Sequence, residues 1–157
     1  DRGVVRRRLA RGDRFAVGRV SVDVLHPPPG DSPSRLPAGN EDSLVIKLTL
    51  DRTVLLLTGD IGAATERSLL ASGADLRSDV LKAGHHGSAA STSPEFLAAV
   101  RPRFVLISVG EGNTYGFPGR DLLARCRKAG ARVLRTDLDG AVEVRTDGRR
   151  VRVRTSV

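Results

Sequence analysis

The sequence predicts an α/β fold in which a mixed sheet is covered by helices, and three observations carry that expectation. Apolar runs of strand length alternate with segments of helical spacing, their order reads β-β-β-α-β-α-β-α-β-β-β, and no second apolar core is set apart by a linker. At 157 residues, 39% of them hydrophobic, the chain suits one domain able to bury a core. No apolar run reaches the roughly 18 to 20 residues of a membrane span, so the chain as given is expected to be soluble, while other parts of a longer protein could lie in a membrane.

The elements follow in order. "RVSVDVL" (19–25) alternates apolar and polar residues, as a half-buried strand does. "HPPPGDSPSRLPAGNED" (26–42) holds five prolines and reads as a surface loop. "SLVIKLTL" (43–50) and "TVLLLTG" (53–59) are strands joined by a short turn at Asp51 and Arg52, and the second is apolar enough to be covered on both faces. "IGAATERSLLASG" reads as a helix stopped at Gly73. "DVLKAG" (79–84) is a short strand, and "SPEFLAAV" (93–100) is a helix with a serine cap and proline at its first position. "RFVLISVG" (103–110) is a buried strand and "GRDLLARCRKAG" (119–130) a helix. "RVLRT", "GAVEVRT" and "RRVRVRT" close the chain as strands, the last two forming a hairpin around Asp147 and Gly148.

Twenty-six Lys and Arg against 18 Asp and Glu leave a net charge of +8, concentrated in "RGVVRRRLARGDR" and "RTDGRRVRVR". Attraction to a polyanion is one cause and an arginine-rich codon usage is another. With 3% aromatics there is little to stack on bases, which argues against a single-strand stacking platform. Cys126 stands alone, so no internal disulfide forms and the redox compartment stays open. The chain begins at Asp1 and holds no methionine, which predicts a fragment or processed chain; no signal-peptide pattern opens it.

Two polar clusters fall just after apolar strands, "TGD" (58–60) and "GHHGS" (84–88), where α/β folds gather ligands. If the two strands are neighbours, Asp60 meets His85 or His86, an N/O ligand set for zinc or manganese. Gly59, Gly84 and Gly87 would allow unusual dihedrals and close approach of a substrate. Asp60 equally suits the N-cap of the helix over 61–72, and the histidines equally suit a loop pair bonded to backbone carbonyls. Two ligands alone fall short of the three that a catalytic zinc takes. "GEGNTYG" (110–116) is one residue off a dinucleotide-binding turn and starts no βαβ unit, and no Walker A sequence or nucleophile elbow occurs, so no nucleotide cofactor is expected.

Taken in order, "RLARGDRFAVGRVSVDVLHPPP", "NEDSLVIKL", "LLLTGDI", "SDVLKAGHHGSAAS" and "ISVGEGNTYGFP" cover nearly the whole chain and resemble the metallo-β-lactamase-like domain of the competence protein ComEC family. The resemblance implies a metallo-β-lactamase-type αββα sandwich with a dinuclear zinc or manganese centre between its halves. It also implies a membrane location, as the soluble domain of a polytopic bacterial membrane protein that takes up transforming DNA. The partners it implies are DNA and the membrane-embedded channel of the same protein, and the implied activity is a nuclease that degrades the strand not imported.

By position, Asp60 matches the metal-bridging aspartate, and His85 or its neighbour His86 the late histidine ligand. Asp60 and His85 are therefore expected as metal ligands and catalytic groups, with His86, Ser88, Asn113 and Tyr115 toward the substrate. Asn40 falls where many relatives place a ligand histidine, and His26 in "VLHPPP" matches a segment read as structural. Two departures stand out. The main ligand motif H-x-H-x-D-H is absent, so residues 1–157 are expected to be the C-terminal half of the domain. Tyr115-Gly116-Phe117-Pro118 also replaces a common Y-G-H-P. Alone, such a half is expected to show little nuclease activity and to aggregate or swap through uncovered sheet. Two rival readings are a non-catalytic DNA-guiding or scaffold module, and a metallo-β-lactamase-type hydrolase of small phosphodiesters.

Overall fold

The computed structural model of the chain describes residue 3, residues 7–30 and residues 39–157. Much of the proline-rich 26–42 segment and part of the N-terminal basic run therefore lie outside the described residues.

The strands are β1 (Arg14–Val17), β2 (Val20–His26), β3 (Val45–Leu50), β4 (Thr53–Leu57), β5 (Val80–Lys82), β6 (Phe104–Ile107) and β7 (Arg132–Arg135), and they form one sheet in sequence order. The first four pair antiparallel, with tight turns joining β1 to β2 and β3 to β4, and β4 to β7 pair parallel. Between the parallel strands run α1 (Ala63–Ala71), α2 (Pro94–Val100) and α3 (Arg120–Lys128). A one-turn helix α4 (Thr136–Asp139) leads into the separate hairpin β8 (Val142–Thr146) and β9 (Val151–Thr155). The mixed α/β expectation holds. The β1 strand is an addition, since "RFAV" is too short to show alternation, and so is α4.

Parallel strands laid down in one direction by right-handed crossovers place all their helices on one face of the sheet. The core follows from this: Val45, Leu56, Leu81, Val105 and Ile107 from the strands pack against Leu69, Phe96, Leu97, Val100, Leu122 and Cys126 from the helices. Side chains alternate along a strand and register partners share a face. The opposite, helix-free face therefore carries the row Val24, Ile46, Leu57 and the row Val22, Leu48, Leu55, Val80. Val22, Val24, Val80 and Leu134 on that face are buried, while Ile46, Leu48, Leu55, Leu57 and Leu106 are half-buried.

Part of the cover is the hairpin. Val142, Val144, Val151 and Val153 share its half-buried side with Thr146. The Thr146 hydroxyl hydrogen-bonds that of Thr53 at 2.8 Å, and the amide of Arg52 donates to the Gly148 carbonyl at 2.8 Å. Among the described residues no helix is long and apolar enough to cross a membrane.

Candidate functional site

Asp60 and the histidine pair lie just beyond the carboxyl ends of the adjacent parallel strands β4 and β5. Thr58 helps to join the two ends, its hydroxyl donating to the Lys82 carbonyl at 2.8 Å. Gly84 and Gly87 make room for the turn between them. A Cβ on Gly84 would stand 2.6 Å from the Ile61 carbonyl oxygen, and Gly87 has φ +83 with Pro118 against it. The close approach at both positions is by the protein's own chain.

Asp60 does not cap α1. The cap position is Gly62, and the Thr65 amide donates instead to Glu41 Oε2 at 3.0 Å. Burial raises the Glu41 carboxyl's pKa, but hydrogen bonds from Thr65 and Gly62 prevail and hold it below the usual range. Asp60, with its amide bonded to the Ser43 hydroxyl at 3.0 Å, leaves its carboxylate to the cleft.

That carboxylate has two nitrogen-bearing neighbours. Lys82 Nζ lies 3.9 Å from Oδ1 and donates to the carbonyls of Gly59 (3.1 Å) and Ala83 (3.0 Å). Burial pushes the Lys82 ammonium below its ordinary pKa, against the pull of Asp60. On the other side His86 Nε2 lies 3.6 Å from Asp60 Oδ2. His86 Nδ1 is 2.8 Å from the Ser108 carbonyl oxygen. A carbonyl only accepts, so Nδ1 carries a proton, and in the tautomer this selects the lone pair is on Nε2, toward Asp60.

His85 points elsewhere. Its Nε2 meets the Asn40 amide at 3.3 Å, and its ring stands edge-on to Phe117 with centroids 5.5 Å apart. Both histidines have positive φ, 44° and 52°, which turns the adjacent rings onto different partners. Of the two, the structure brings His86 rather than His85 to Asp60.

These residues line a cleft of about 470 Å³ together with Val109, Gly110, Asn113, Tyr115 and Phe117. Asn113 folds the loop over the cleft, donating to the Phe117 carbonyl (2.8 Å) and accepting from its amide (3.0 Å). Tyr115, 80% exposed, stacks on Phe117 at the mouth. Ser88 is not among the lining residues, and its hydroxyl accepts from the Ala90 amide at 3.3 Å. His26 sits apart and buried, with Nε2 2.9 Å from the Glu41 carbonyl oxygen.

The donor chemistry can be tested against a divalent ion. Two ligands bound at about 2.0–2.1 Å in tetrahedral array stand about 3.3–3.4 Å apart. The Asp60–His86 separation of 3.6 Å suits two such positions on one ion. Among the described residues no group of three or more His, Cys, Asp or Glu side chains is placed to hold a metal. Phe117 closes the wall next to His85 without offering a donor.

Sequence spacing pointed to Asp60 and the histidines as neighbours, and the family resemblance added Asn40, Asn113 and Tyr115. It missed Lys82 and the Ser108 carbonyl. The Lys82 signal was present, since Lys82 is the register partner of Leu57 at the last position of β5 and so lies close to Asp60.

Comparison with known proteins was decisive for kinship. Over 149 residues, 95% of this chain and 19% of the relative, it is 33% identical to ComE operon protein 3 of Bacillus subtilis. It is 41% identical over 105 residues to competence protein ComA of Neisseria gonorrhoeae, covering 66% of this chain and 15% of that one. The chain belongs to the ComEC family. Recombination protein 2 of Haemophilus influenzae, 36% identical over 107 residues (68% of this chain, 13% of the relative), agrees. The chain spans less than a fifth of the length of each of these ComEC-family relatives. No protein-family model matches it.

Proposed function

We propose that this ComEC-family chain is the C-terminal half of a metallo-β-lactamase-type αββα sandwich serving bacterial DNA uptake, and that its cleft is one side of a metal-dependent phosphodiesterase centre. The observation that carries the reading is the pairing of Asp60 with His86 Nε2, whose other ring nitrogen is fixed by the Ser108 carbonyl. The apolar helix-free face supports it, because a sandwich needs such a face for its second half. The names of the relatives, two of them competence proteins or their operon's product, support the uptake role. In the whole protein the domain would stand at the cell membrane beside the channel that DNA passes through.

Asp60 and His86 would hold a zinc or manganese ion, with the remaining ligands supplied from beyond the described residues. When bound, such an ion lowers the pKa of water and neutralises phosphate charge. The chain's own contribution is placement. Lys82 braces Asp60 Oδ1 and leaves Oδ2 to the cleft, and the Ser108 carbonyl holds the His86 ring in one tautomer. His85 and Asn40 form the cleft's polar floor, and Tyr115 at the mouth offers a ring and a hydroxyl to a substrate strand.

A second reading has its own observation. With Phe117 where the family resemblance implies a histidine, and no group of three ligands among the described residues, the cleft could guide DNA without cutting it. Manganese- or zinc-dependent cleavage of linear DNA by the full-length protein separates the two. The enzyme reading expects cleavage that is lost in Asp60→Ala and His86→Ala, and the guiding reading expects none.

A further inference from the structure

The outer face of the β8–β9 hairpin combines charges that do not cancel. Glu143, Arg145, Arg152 and Arg154 are exposed there, with Arg145 directly opposite Arg152 and Glu143 opposite Arg154. Like charges directly opposite in an antiparallel pair are unfavourable. The hairpin's acids are already engaged: Glu143 pairs with Arg145 at 2.8 Å, and Asp147 accepts the amides of Arg149 (2.9 Å) and Arg150 (2.8 Å) to form the turn. Among the described residues no carboxylate lies within 4.0 Å of the guanidinium of Arg149, Arg150, Arg152 or Arg154. By contrast Arg14, Arg19 and Arg135 each pair with an aspartate.

The face is also shaped and held. Arg145, Thr146, Asp147, Arg150, Arg152 and Arg154 line a shallow groove of about 230 Å³. The Thr53–Thr146 bond and the Arg52–Gly148 bond fix the opposite side of the ribbon to the sheet, so the arginines project into solvent. Alternate residues on a strand recur at about 6.6 Å, so successive guanidinium groups can each take a separate phosphate of a repeating polyanion.

We infer that the outer face of β8–β9 is a nucleic-acid backbone-binding surface, contacting phosphates through Arg150, Arg152 and Arg154. It carries no aromatic side chain, so contact is to the backbone and independent of sequence. The surface is distinct from the cleft. Its turn packs at the start of β4, whereas Asp60 lies beyond the other end, roughly 20 Å away at about 3.3 Å per strand residue. The inference takes DNA as partner from the proposed function, but it needs no catalysis in the cleft.

The test is fluorescence anisotropy of the purified full-length protein with a labelled 20-base-pair duplex of arbitrary sequence, as a function of salt. Wild type should show log affinity falling linearly with log salt, and the double variant Arg152→Gln/Arg154→Gln should lower that slope by about 2, because each lost phosphate contact removes about 0.9. A double variant with lysine at both positions should keep the wild-type slope, which a folding defect would not allow. The slope is read without added divalent metal, so a wild-type protein that never cleaves DNA would sink the enzyme reading and leave this one standing. An unchanged slope in the glutamine variant overturns the inference. So does a loss confined to binding of phosphatidylglycerol vesicles with duplex binding intact.

Discussion

Glu66 is almost fully buried on α1, yet no sequence pattern marks it as anything but a surface helix residue. Its carboxylate accepts the amides of Thr92 and of Ser93 (2.8 Å), joining α1 to the start of α2. Burial raises its pKa, and those hydrogen bonds oppose the rise. Glu66→Gln puts an amide donor against one of these amides. It should cost about 1–3 kcal/mol, the penalty for a buried donor left unpaired, read as a lowered urea midpoint at constant slope. An unchanged midpoint would remove the structural role assigned here. The histidine pair shows the same limit on sequence reading. That one of the two meets Asp60 was legible from spacing; that it is His86 was not, because the choice rests on a carbonyl of Ser108, 22 residues on. Phe117 offers a gain-of-function test. If the cleft binds metal, Phe117→His adds an imidazole beside His85 and should raise manganese or zinc affinity about tenfold or more in calorimetric titration, as a further nitrogen ligand does. Affinity equal to wild type would count against a metal centre there.

At the scale of elements, β2 to β9 and the three longer helices were legible from apolar runs and the turn signals that bound them. Caps were less so. Ser93 does cap α2, accepting from the Phe96 amide at 3.2 Å, but the start of α1 is organised by Glu41 from a loop 22 residues earlier, contact that periodicity cannot show. Loop-to-element contacts of this kind carry the acid sensitivity of the fold. Asp75, held by hydrogen bonds from Lys47, Asp137, held by Arg135, and Glu41, held by Thr65 against its own burial, all have pKa values below the ordinary range. The folded state then binds fewer protons than the unfolded one around and below pH 4, so their contribution is complete above that range and is lost as pH falls. Glu66, with its raised value, has the opposite slope at higher pH. The urea midpoint should drop between pH 6 and pH 3, and less so in Glu41→Gln. An equal drop in that variant would exclude Glu41 as a contributor.

At the scale of the whole molecule, handedness decides the outcome. One-way crossovers put the helices on a single face and leave the other to Ile46, Leu48, Leu55 and Leu57, an apolar surface that the C-terminal hairpin joins at Thr53. The sequence showed that these strands were apolar, but not which residues shared a face, because that depends on register. The same register carries Asp60 and His86 to one end of the sheet, the end at which the proposed sandwich would receive its second half and the remaining ligands. The most direct measurement is DNA cleavage by the full-length protein with manganese or zinc, in wild type, Asp60→Ala, His86→Ala and His85→Ala. The account predicts metal-dependent cleavage abolished by the first two substitutions and only reduced by the third. Cleavage that survives Asp60→Ala and His86→Ala, or no cleavage in wild type with either metal, would contradict it.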